Sequence, residues 1–152
     1  MRKGLIYAAL ILISIATPKD QVELGKLRPV QTLYAYYNEG ELHLVTDMGD
    51  RGRGLDVDTA VVSLREHAPG FIYLDTADYL IVGRGDEKVI PTLAEYLKGT
   101  VRICATEGVG ELGEATEYLS AHKPKTKLAD WTNEQELDVL RRSKEGYWLV
   151  KK

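Results

Sequence analysis

Four consecutive apolar residues, Tyr79-Leu80-Ile81-Val82, are closed by Gly83. A run this short, with no polar side to turn toward water, reads as a buried strand. It places a sheet at the centre of the fold, and the flanking segments show what the sheet is built with. Upstream, Val30, Leu33, Tyr34, Tyr36 and Tyr37 are strand formers that follow Pro29, a residue suited to the start or edge of a strand. Asn38-Glu39-Gly40 is a turn, and residues 41–48 set Leu42 and Leu44 on one face against His43 and Val45 on the other. Together they predict an N-terminal hairpin. Asp56 or Asp58 is placed to cap a helix through Ala68, with Val57, Ala60, Val61 and Leu64 at helical spacing and Pro69-Gly70 as the stop.

Downstream, Phe71 to Leu74 is a short apolar stretch and Asp86 is a possible N-cap. Leu93, Ala94 and Leu97 form one face of a second helix, with Pro91 near its first turns and Gly99 at its end. Residues 101–105 read as a strand and residues 111–120 as a helix with Leu112, Ala115 and Leu119 inward. Thr132-Asn133-Glu134-Gln135 matches a capping box and predicts a further helix to about Arg142. Residues 147–150 are suited to a terminal strand. The order predicts an α+β fold: a mixed or antiparallel sheet with an N-terminal hairpin and three to four helices, in a single domain over residues 21–152.

The first residues have a different character. Met1-Arg2-Lys3 precedes thirteen uncharged residues, 4–16 (GLIYAALILISIA), and Thr17-Pro18-Lys19-Asp20 breaks the run. As a helix they would span about 20 Å at ~1.5 Å per residue, short of the roughly 30 Å of a bilayer core. The length suits the apolar region of a signal peptide, and Ser14 and Ala16 supply small residues for a cut before Thr17. Residues 1–16 are therefore expected to be a signal peptide or a membrane anchor, which implies an exported, membrane-associated or extracytoplasmic protein. No cysteine follows the run, so there is no lipoprotein box.

Charge narrows the partners. The whole chain carries 20 basic and 23 acidic residues, net −3; without residues 1–16 the balance is 18 to 23, net −5. A domain-wide basic footprint for nucleic acid is absent, and attraction to anionic lipid is not general over its surface. The lone Cys104 cannot form an internal disulfide and sits in an apolar strand. His43, His67 and His122 lack metal-ligand spacing. Acid pairs such as Asp75 with Asp78 and Asp47 with Asp50 suit turns and caps, and no Ser sits in a G-x-S-x-G elbow. No catalytic residue, metal or cofactor is expected. Gly108-Val109-Gly110-Glu111-Leu112-Gly113 is a literal G-x-G-x-x-G between a strand and a helix, with Asp130 about 20 residues on, as dinucleotide binding requires. Glu107, Glu111 and Glu114 surround it with the wrong charge for a pyrophosphate. Gly49, Asp50, Arg51, Gly52, Arg53 and Gly54 form a flexible loop that could meet an anion or a partner, and Lys123 to Lys127 form a solvated basic loop.

The stretch from Asp58 to Gly83, DTAVVSLREHAPGFIYLDTADYLIVG, resembles the N-terminal domain of the Ger(x)C spore germination proteins, the C subunits of germinant receptors. In that family a Gly-rich loop precedes a helix of the type A-x-x-x-L-x-x-x-x-P, matched here by Ala60, Leu64 and Pro69. An apolar-aromatic triplet and a strand ending in Gly follow, matched by Ile72-Tyr73-Leu74 and Leu80-Ile81-Val82-Gly83. The family's His in this run is replaced by Thr76 or a neighbour. The pattern covers roughly residues 20–120. It implies a non-enzymatic, extracytoplasmic module that binds membrane-associated protein partners. The absent lipoprotein cysteine and the absence of the family's further domains set the chain apart from the family. The expected contacts are the loops at 49–54 and 123–127. Two other readings follow from the residues: a nucleotide-binding enzyme using Gly108 to Gly113, and a small-ligand sensor with Tyr34, Tyr36 and Tyr73 near a pocket.

Overall fold

The structure is a computed structural model in which residues 26–152 are described; the signal peptide or membrane anchor expected over residues 1–16 lies outside them. A seven-stranded mixed sheet forms the centre, in the order β4-β3-β2-β6-β7-β8-β9. Its strands are β2 (Thr32–Asn38), β3 (Glu41–Thr46), β4 (Arg51–Gly54), β6 (Tyr79–Gly83), β7 (Arg102–Thr106), β8 (Val139–Ser143) and β9 (Gly146–Val150). The inner four, β2-β6-β7-β8, are parallel. β3 and β4 continue the sheet antiparallel on the β2 side, and β9 pairs antiparallel with β8 on the other. A small parallel sheet pairs β1 (Leu27–Pro29) with β5 (Phe71–Tyr73).

Parallel neighbours need crossover segments, and these cover the sheet. Helix α1 (Val57–His67) buries Val57, Ala60, Val61 and Leu64. They join Leu33, Ala35, Leu42, Leu44, Leu80, Val82 and Ile103 of one sheet face in the larger core. The short α2 (Ile90–Leu93) and Leu97 add to the same core. Helix α3 (Leu112–Ala121) packs Leu112, Ala115 and Leu119 on the other face, over Tyr79, Ile81, Cys104 and Leu140. Every residue of β6 is buried, as the apolar run requires. Each fully buried leucine stabilises the fold by roughly 1.5–3 kcal/mol. Asp56 caps α1, its Oδ1 accepting from the Thr59 N–H at 2.8 Å; these bonds hold its carboxyl below the usual range.

Four local expectations are corrected. Residues 49–54 are not a flexible loop: Gly49 and Asp50 end a tight turn and Arg51–Gly54 is strand β4. Residues 132–142 are not a helix. The Gln135 N–H donates to Thr132 O at 3.0 Å, one turn forms, and Val139–Ser143 enters the sheet as β8. The slot beside β7 and the hairpin to β9 override the local pattern. The helix toward Gly99 stops at Leu93 and continues only as turns. Asp86 stands at the N-cap position of the 3-10 turn Glu87–Val89, but its side chain makes no capping bond; its Oδ2 accepts the Tyr37 N–H of β2 at 3.0 Å. A side chain at Gly83 would lie 2.4 Å from that same oxygen.

One buried carboxylate fastens the end of the sheet. Asp138 is fully buried. It accepts the N–H groups of Lys125 and Lys152 at 3.0 Å each, and Lys151 Nζ lies 3.5 Å away. Burial pushes its pKa up, but the two backbone bonds and Lys151 outweigh that and leave it lowered.

Candidate interaction surface

The two glycines of β4 let α1 lie directly on the strand. A Cβ on Gly52 would sit 2.4 Å from Ala60 O and from Leu64 N; one on Gly54 would sit 2.6 Å from Ala60 N. Gly49 takes φ +85°, the left-handed region of the turn. Asp50 is buried and accepts from Arg28 Nε at 2.8 Å. Four of the six residues flagged from sequence thus build the strand and its turn, and Arg51 and Arg53 alone project into solvent.

Register sets what those arginines meet. Val45 pairs with Arg51 and His43 with Arg53, while Tyr34 pairs with Val45 and Tyr36 with His43. Directly paired residues share a face, so Tyr34, Tyr36, His43, Arg51 and Arg53 share the face that carries α3. α3 covers the middle of that face and leaves Tyr36 and His43 half-buried and both arginines exposed. The Tyr34 and Tyr36 rings stack at 4.7 Å, and Tyr36 stacks on His43 at 5.1 Å. Burial, with smaller contributions from Tyr36 and Asp86, pushes the Tyr34 hydroxyl up to about 12, so it stays a neutral donor. Arg53 reaches Glu41 at 3.9 Å, too loose to occupy its guanidinium. A row of flat rings ending in two guanidinium forks suits an extended, acidic partner segment: the rings supply apolar contact and the forks bind carboxylates in pairs.

The other candidates are dispersed. In the G-x-G-x-x-G loop the Gly108 N–H donates to Thr106 Oγ1 and the Gly110 N–H to Tyr147 Oη, both at 3.2 Å. Arg142 fills the space over Gly110, its Nη1 1.9 Å from where a Cβ would be. A pyrophosphate cradle needs such N–H groups directed outward; here one is taken by Thr106 of β7 and the other by Tyr147 of β9. Cys104 is fully buried in the α3 core, and burial pushes its thiol up to about 12. His67 Nδ1 is 2.7 Å from Ser63 O, and His122 stacks on Tyr118 at 4.4 Å. Among the described residues no three His, Cys, Asp or Glu side chains are grouped to hold a metal. Tyr73 belongs to the small sheet and does not join Tyr34 and Tyr36. The basic loop is laid along β7, with Lys127 bridged to Arg102 and Thr126 O accepting the Ile103 N–H at 2.9 Å. Sequence reasoning missed a cleft of about 300 Å³ lined by Arg84, Glu87, Trp131, Gln135 and Lys152, among others. The Trp131 indole N–H is buried without a partner. No motif pointed to the cleft, because its walls come from separate stretches of the chain, around 84–87, 105, 131–139 and 152.

No family model, no curated protein and no solved structure matches this chain.

Proposed function

We propose that this chain is a non-enzymatic protein-interaction module on the extracytoplasmic side of a membrane, related to the N-terminal domain of the Ger(x)C spore germination proteins. The N-terminal apolar segment exports or anchors it, and its partner is a membrane-associated protein. The observation that carries the reading is the convergence of the Tyr34–Tyr36–His43 stack with Arg51 and Arg53 on one incompletely covered sheet face. Export is supported by the sequence of residues 1–16 alone; among the described residues no helix is long and apolar enough to cross a membrane.

Two experiments test it. The first 30 residues are fused to a reporter that is active only outside the cytoplasm. Activity is expected, and a reporter held in the cytoplasm sinks the export reading. The full chain is then paired in a two-hybrid assay with each membrane protein encoded beside it. An interaction lost in Arg51→Glu/Arg53→Glu, with unchanged thermal stability, is expected. A pairing that survives this double substitution refutes the assigned face.

A further inference from the structure

We infer that the domain rests on the bilayer surface through the outer face of the small β1–β5 sheet. The inference depends on an uncleaved N-terminal anchor and adds the orientation that the anchor imposes. Leu27 pairs with Phe71 and Pro29 with Tyr73, while Arg28 pairs with Ile72. Ile72 points into the core at 2 % exposure, so Phe71 and Tyr73 point away from it, at 51 % and 43 % exposure. Phe71 is the chain's single phenylalanine. Phe71 and Tyr73 stand on one face beside their partners Leu27 and Pro29, so they form a contiguous apolar patch rather than scattered single residues.

Chain connectivity selects the occupant. β1 is the first described strand, and only residues 17–25 separate the apolar run from Lys26. Nine residues span at most about 32 Å at ~3.3–3.6 Å each. A bilayer holding the apolar run is therefore always within reach of this patch, whereas a second copy must arrive by diffusion. Tyr suits the headgroup level, and Phe suits the apolar side that such a surface buries below it. Basic groups lie at the same starting end of the parallel strands. Arg102 opens β7, Lys127 is bridged to it, and Lys123 shares a surface hollow with Asp78, Tyr79, Thr100 and Arg102. Lys151 Nζ reaches Lys123 O at 2.9 Å. Exposed acids lie at this end too: Asp75, Asp78, Glu66 in the last turn of α1, and Asp130, whose N–H donates to Lys127 O. Lysine near an anionic surface adds attraction that salt removes, so the rings make the main contact and the lysines favour anionic headgroups.

The full chain is reconstituted into vesicles of phosphatidylcholine with and without phosphatidylglycerol. Phe71→Cys carries a polarity-sensitive thiol dye, and Lys144→Cys, in the β8–β9 turn, is the control. Both variants also carry Cys104→Ala, so that the dye reports only the introduced position. Flotation with the vesicles and a blue shift at position 71, but not at 144, is the expected result. The shift should be larger with phosphatidylglycerol and should shrink in Lys123→Glu/Lys127→Glu. A chain that floats while position 71 reports water overturns the docking and leaves the anchor standing. A chain that does not float overturns the anchor and the docking with it. A blue shift without vesicles that grows with protein concentration assigns the patch to a second copy and also overturns the proposal.

Discussion

Replacing Asp138 by Asn tests how the end of the sheet is held. The carboxylate is fully buried and accepts two backbone N–H groups at 3.0 Å, from Lys125 and Lys152. Hydrogen bonds to a charged group contribute about 1.5–3 kcal/mol each. An amide keeps one acceptor and turns an NH2 group toward the other donor, so one bond is lost and the other loses its charge. The expected cost is about 2–3 kcal/mol at pH 7, a large share of the 5–15 kcal/mol that holds a typical domain together. In urea the midpoint should fall by about 1–1.5 M. The effect also has a pH signature. Asp138 has its pKa lowered in the folded state, against about 3.9 when unfolded. Its contribution is complete above the unfolded value and disappears as pH falls through the folded one. Urea melts followed by tryptophan fluorescence at pH 7, 5 and 3 should show the wild-type advantage intact at 7 and 5 and reduced at 3. An equal gap at all three pH values, or no gap at pH 7, refutes the clamp.

Two further outcomes follow from packing. Gly52→Ala forces a methyl to within 2.4 Å of the α1 backbone and should cost about 1–3 kcal/mol, read as a lower thermal midpoint; an unchanged midpoint refutes the close contact. Cys104, with its thiol pushed up to about 12 inside the α3 core, should resist a thiol reagent at pH 8 until urea unfolds the chain. Rapid labelling of the folded protein contradicts the burial.

The central strand, the hairpin and α1 were legible because their apolar spacing is local and agrees with the tertiary demand. Tyr79–Gly83 and Val57–His67 are the clearest cases. The region at 132–142 was not legible: Thr132 and Gln135 do form a turn, but Val139 and Leu140 are taken by the space beside β7. Residues 49–54 misled for a related reason. Glycine disfavours a strand locally, and only the approach of α1 to β4 makes two glycines necessary there. Arg51, Arg53, Tyr34 and Tyr36 were each visible as residues. Their shared face depends on strand register across β2, β3 and β4, which no single segment encodes. The exposure of Phe71 was hidden too, because an apolar triplet does not say which of its members faces inward.

The contact between α1 and β4 also decides where this sheet can grow. The Arg53 N–H, on the outer side of β4, donates to Ser63 Oγ of α1 at 3.2 Å, so α1 takes the amide that an incoming strand would need at that residue. The opposite margin, β9, is screened at one amide, where the Leu149 N–H donates to Tyr118 Oη at 2.9 Å. A strand added at either edge would therefore have to displace a side chain from one amide of that edge.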